Sequence, residues 1–145
     1  MIERKSVNSF KKTRFSLRES VSEKRGRLTQ WPCKLSLAPE IAPYFDGADL
    51  LIAADCTAYA YGNFHNDYMK SCVTLIGCPR LDNGDYCEKL AKIISENDIK
   101  SVKLLKMEVL CCLALENAVK DAILKSGKRV PLELITLSTD GRILK

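Results

Sequence analysis

From Asp49 onward, short continuous apolar runs alternate with stretches in which apolar residues recur at helical spacing. Leu50-Leu51-Ile52-Ala53-Ala54, Val73-Thr74-Leu75-Ile76, Val102-Lys103-Leu104-Leu105-Lys106-Met107 and Leu132-Glu133-Leu134-Ile135-Thr136-Leu137 have strand length. A short Ile143-Leu144 segment follows the Asp140-Gly141 turn signal. Between the strands, the spacing predicts helices over about Ala58 to Lys70, Gly84 to Asn97 and Leu113 to Ser126. Leu90, Ile93 and Ile94 mark one face of the second; Leu115, Ala118, Val119, Ala122 and Ile123 mark one face of the third. Ser126-Gly127-Lys128 gives the third helix a glycine stop and a cation near its C-terminal dipole.

Strand and helix in alternation form right-handed βαβ units, which build a mostly parallel sheet with helices on both faces. Strands buried on both faces read as continuous apolar runs, as the first two do. The expected fold is a three-layer α/β domain, flavodoxin-like or related. Upstream, between Leu28 and Asp49, Pro32, Pro39, Pro43 and the Asp46-Gly47 turn signal exclude long regular elements. That stretch is expected to be a packed, irregular cover anchored by Trp31, Tyr44 and Phe45. From Met1 to about Arg27 the few apolar residues follow no sustained period, which predicts a flexible basic arm with at most one short helix. The chain therefore divides into an arm, 1–27, and a single domain, 28–145.

A chain of 145 residues that is 46% hydrophobic can bury one ordinary core without disulfide staples. No apolar run approaches the roughly 18 residues of a membrane span, and the N-terminus has no apolar signal core, so a cytoplasmic protein without membrane contact is expected. In a reducing compartment, seven cysteines read as buried thiols, metal ligands or redox groups. The net charge of +5 is uneven: residues 1–35 carry ten Lys/Arg against three Glu, leaving the rest slightly acidic. Such an arm is solvated or docks an acidic protein surface. Helix-turn-helix spacing, RNP-type aromatics and zinc-finger patterns are missing, so nucleic-acid binding is not expected.

The predicted strands sort the cysteines. Cys56 follows the first strand, Cys78 the second, and Cys111-Cys112 the third, so all four fall at strand C-terminal ends. In an open α/β sheet those ends share one edge, and ligands bind in the crevice outside it. Thiolates are ligands for soft metals and iron–sulfur clusters, and a helix N-terminus favours the thiolate. Equally, buried cysteine behaves as a small hydrophobe. Cys72 precedes a strand and Cys87 lies within a helix, so both are expected away from the crevice; Cys33, in the cover, could reach it. His65 reads as an exposed or satisfied helix residue, and Asp55 as a helix N-cap. Tyr59, Tyr61, Phe64 and Tyr68 read mainly as a packing face. Phosphate loops, Rossmann glycine fingerprints, Ser/His/Asp triads and metalloprotease helices are absent from the sequence, so hydrolase or nucleotide-dependent chemistry has no motif behind it.

Several strings are long and specific: Leu28-Thr29-Gln30-Trp31-Pro32, the run from Ala42 to Ala60 that includes Asp49-Leu50-Leu51-Ile52-Ala53-Ala54-Asp55-Cys56, Ile76-Gly77-Cys78-Pro79, Met107-Glu108-Val109, and Ser138-Thr139-Asp140-Gly141-Arg142. Over about Leu28 to Lys145 the chain resembles the C-terminal domain of a family of 4Fe-4S ferredoxin-type iron–sulfur proteins of anaerobic bacteria and archaea. The resemblance implies cluster binding or electron transfer with a redox or oxidoreductase protein partner. The ferredoxin-type module and its Cys-x-x-Cys motifs are not found in these residues. Two glycines that follow the paired cysteines in that family are Leu113 and Ala114 here, and the added side chains are expected to crowd the crevice. Any iron–sulfur cluster or metal would rest on Cys56, Cys78 and Cys111 or Cys112, with Cys33 as a further candidate ligand. Two alternatives stay open: a cofactor-free α/β interaction module, and thiol redox catalysis, which lacks a resolving Cys-x-x-Cys partner.

Overall fold

The computed structural model describes residues 25–144. The expected arm falls outside the described residues except for Arg25, Gly26 and Arg27. Four strands form the sheet: β1, Ala48–Ala54; β2, Val73–Gly77; β3, Ile99–Met107; and β4, Leu132–Leu137. The helices are α1, Thr57–Ala60; α2, Tyr86–Glu96; and α3, Cys112–Ser126, with a single π-helical turn at His65–Met69.

The strand order is β2-β1-β3-β4, and every pair is parallel. Leu50 faces Val73 on one side and Val102 on the other, and Ile52 faces Leu75 and Leu104, so the centre of the sheet is a continuous apolar layer. Leu51, Ile52, Ala53, Leu75, Leu104 and Leu105 are fully buried. Their continuous runs were legible for that reason: both faces of β1 and β3 are covered.

The two faces are covered differently. Lys106 of β3 reaches Glu116 of α3 at 3.5 Å, whereas Lys103 lies over the ring of Tyr68 at 5.9 Å. Three residues apart on a strand, these two side chains point to opposite faces. α2 and α3 pack together over one face. The other is covered by the β1–β2 connection, through Thr57, Phe64, Tyr68 and Met69. The helix expected over Ala58 to Lys70 is therefore corrected to a one-turn α1 and a π turn. Gly62 interrupts it, and the Asn63 and Asp67 side chains bond to each other at 2.8 Å.

The other helices stop where local chemistry dictates. Asp85 caps α2 by accepting the Cys87 N–H at 2.8 Å. Gly127 ends α3 at φ 72°, a left-handed conformation that favours glycine. The cover protects the exposed edge of β2. Gln30 Nε2 donates to Thr74 O, Ile76 N–H donates to Cys33 O, and Leu35 N–H donates to Ile76 O, the last two at 2.8 Å. Phe45 anchors this stretch and Tyr44 packs beside it, but Trp31 is 77% exposed and does not serve as the expected anchor. The C-terminal segment turns back so that Ile143 bridges Leu137 in antiparallel sense.

Candidate functional site

The strand order puts β2, β1 and β3 side by side, so the three loops that leave their C-terminal ends occupy one edge. Cys56 stands exposed after β1, Cys78 half-buried after β2, and Cys111 half-buried at the start of α3. Cys112, the first residue of α3, is buried, and burial pushes its thiol pKa up. Cys33 lies alongside the C-terminal end of β2 through the Ile76 hydrogen bond. Cys72 precedes β2 at the opposite edge and Cys87 is buried in α2, as the sequence indicates.

The edge brings the loops together without closing a ligand set. Among the described residues, no three His, Cys, Asp or Glu side chains are grouped so as to hold a metal ion. His65 is exposed on the π turn, where its Nδ1 accepts the Arg27 N–H at 3.0 Å. The loop after β3 is tied to β4 instead: Glu108 N–H donates to Leu137 O, and Glu108 Oε2 accepts the Thr139 N–H at 2.9 Å. Leu113 and Ala114 are both exposed on the first turn of α3.

A polar network that the sequence reading missed sits between the β1 and β2 loops. Lys34 Nζ lies 2.9 Å from Asp55 Oδ2 and 2.9 Å from Asp82 Oδ2. Asp82 Oδ2 also accepts the Cys78 N–H at 3.0 Å and the Tyr86 hydroxyl. Burial works to raise the Asp82 pKa, but the Tyr86, Cys78 and Lys34 donors outweigh it and hold the carboxyl at about 2. The same exchange acts on Lys34: burial lowers its pKa, the two carboxylates raise it, and the net shift is upward. Burial and the Asp82 carboxylate push the Tyr86 hydroxyl up. Asp55 is thus not the expected N-cap; Cys56 occupies that position without a side-chain cap. The carboxylate turns to Lys34 because an ammonium is the stronger partner. No local spacing signals the part played by Lys34, which lies 21 residues from Asp55 and 48 from Asp82.

A cavity of about 350 Å³ opens elsewhere, at the N-terminal edge, lined among others by Asp49, Lys70, Cys72, Ser101, Lys103 and Glu133. It contains none of the four candidate cysteines. Among the described residues no helix is long and apolar enough to cross a membrane.

Comparison with known proteins agrees with the architecture. An uncharacterized protein of Archaeoglobus fulgidus is 34% identical over 115 residues, covering 79% of this chain and 81% of the relative. No solved structure matches the chain at a significant level. A family model described as Rossmann-like domain matches residues 42–145, which includes all four strands and the three loops of the cysteine edge. The chain belongs to the Rossmann-like domain family.

Proposed function

We propose that this chain is an iron–sulfur-protein-like electron-transfer domain whose working face is the C-terminal edge of the sheet. There Cys56, Cys78 and the Cys111–Cys112 pair meet a cluster, a metal ion or a redox protein partner. The observation that carries the reading is the order β2-β1-β3, which sets three cysteine-bearing loops side by side. Cys56 is exposed and Cys78 and Cys111 are half-buried, and all seven cysteines are free thiols. The strings on which the resemblance to iron–sulfur proteins rests, Asp55-Cys56 and Gly77-Cys78-Pro79 among them, fall at this edge. As arranged, the thiols are separate ligands rather than a closed set, so in this reading the loops adjust around the group they take. A reducing, cytoplasmic compartment belongs to the same reading, because it keeps the thiols free.

The test is the iron, zinc and acid-labile sulfide content, with an absorption spectrum, of protein purified without oxygen and then offered ferrous iron and sulfide. Iron and sulfide near stoichiometry, diminished by Cys56→Ser and by Cys78→Ser, are the expected result. A folded sample that takes up neither overturns the reading. The second reading, a cofactor-free interaction module, is favoured by the apolar side chains of Tyr59 on α1, Leu110 before α3 and Leu113 on its first turn, which are exposed at the same edge.

A further inference from the structure

Two of the three loops at the cysteine edge are joined through one side chain. Cys33 and Leu35 are both hydrogen-bonded to Ile76 of β2, so the backbone of Lys34 between them is fixed at the sheet border. From there its Nζ reaches Asp55, which immediately precedes Cys56, and Asp82, which holds the Cys78 N–H. We propose that Lys34 is the positioning residue of this edge: its ammonium clips the Asp55–Cys56 turn to the Cys78–Asp82 turn and sets the two thiol-bearing loops in one relation. The purpose of the clip rests on the electron-transfer reading of the edge; its existence rests on the Lys34 geometry.

The two anchors are unequal. Without Lys34, Asp82 keeps the Cys78 N–H and the Tyr86 hydroxyl. Asp55 keeps no side-chain donor among the described residues, because its Oδ1 is already buried without a partner. Across to β2 its turn would keep only the backbone bond from Asp55 N–H to Gly77 O; the bonds from the Thr57 hydroxyl to Ala54 O and from the Tyr59 and Ala60 N–H groups to Cys56 O stay within the turn and α1. A lone ammonium between two half-buried carboxylates is costly to desolvate, but removing it alone leaves the Asp55 carboxylate with neither oxygen paired, which costs more. What the charged clip adds is a direct tie between the two turns, since one Nζ lies 2.9 Å from a carboxylate oxygen of each.

The test is amide hydrogen exchange followed by mass spectrometry on metal-free protein. In Lys34→Met, peptides spanning 54–60 exchange about fivefold faster and those spanning 77–82 about twofold faster, while 99–107 and 112–126 keep the wild-type rate. Lys34→Arg restores protection in 54–60. Asp82→Asn reverses the asymmetry, loosening 77–82 more than 54–60, and serves as the independent variant if Lys34→Met does not fold. Equal acceleration across all peptides, or unchanged exchange in 54–60, overturns the clip. Because the exchange is read without metal, a wild type that takes up no iron, with variants that still show this pattern, removes the electron-transfer reading and leaves the clip standing. Iron uptake without the pattern removes the clip alone.

Discussion

The β1–β2 and β3–β4 crossovers start alike and then diverge. Each leaves the cysteine edge and returns to the N-terminal edge over one face of the sheet. The second does so with the 15-residue α3, which buries Leu115, Val119 and Ala122 along one stripe. The first uses a one-turn helix and a π turn, yet buries Phe64, Tyr68 and Met69 against the opposite face. Aromatic side chains cover more surface per residue than the alanine and leucine of α3, so a short, irregular segment can fill a layer. The irregular crossover pays out its polar groups locally: the Tyr61 hydroxyl donates to Asp67 Oδ2 at 2.6 Å, and Asn63 donates to the other oxygen. A covering layer is thus specified by which side chains reach the core, and regular helix is one way among others to deliver them.

If both crossovers belong to one core, truncating either should be severe. Phe64→Ala is expected to cost about 3–5 kcal/mol and Leu115→Ala about 2–5 kcal/mol in urea unfolding, because both side chains are essentially fully buried. A Phe64→Ala protein with the wild-type midpoint would show the first crossover to be peripheral. Gly141→Ala comes next. Gly141 has φ 87°, and an added Cβ would lie 2.3 Å from Ala60 O at the end of α1. Backbone must move to admit it, so a loss of about 2–3 kcal/mol is expected, with the β1–β2 crossover loosening first. Amide exchange that rises first in α3 would contradict this.

Acid should separate the crossovers by a smaller margin. Asp82 is held at about 2 in the folded chain, below its ordinary value. Its contribution is fully present above the unfolded pKa and is lost as pH falls from there through the folded value; we expect about 1–2 kcal/mol for this half-buried carboxylate once solvent screening is allowed for. Between pH 4 and pH 2, exchange in the 54–60 and 77–82 loops should therefore rise before exchange in α3, and Asp82→Asn should flatten that dependence. Smallest is Gly127→Ala, where no neighbour lies within 4 Å but φ is 72°. A loss of about 1 kcal/mol is expected from the left-handed backbone alone, and a neutral substitution would show that the α3 terminus relaxes freely.

Much of the architecture was legible because it rests on local pattern. All four strands lie within a few residues of the apolar runs that announced them, and α2 and α3 match their periodic stripes. The β1–β2 crossover was misread because its apolar residues, Tyr59 to Tyr68, have helical spacing in part, while the groups that break the helix act through side-chain bonds that spacing does not display. Tyr59, included in that face, is 93% exposed. The placement of Cys56, Cys78 and Cys111 on one edge also followed from pattern, since strand ends in a parallel sheet share a direction. Their failure to gather as three ligands did not, because loop conformation after a strand depends on contacts made from elsewhere.

The sequence by itself determined the βαβ order, the positions of the strands, the stop at Gly127 and the end of the sheet to which Cys56, Cys72, Cys78 and the Cys111–Cys112 pair belong. These depend on periodicity and on residue-specific backbone preferences, which operate over a few neighbours. Only the tertiary structure decided that one face is covered by two packed helices and the other by an aromatic π turn, that Gln30 and Leu35 protect the β2 edge, and that Asp55 bonds Lys34 rather than a helix start. Each of those choices is a contact between residues far apart in sequence, and its strength comes from removing water around both partners, which happens only once the sheet has brought them together.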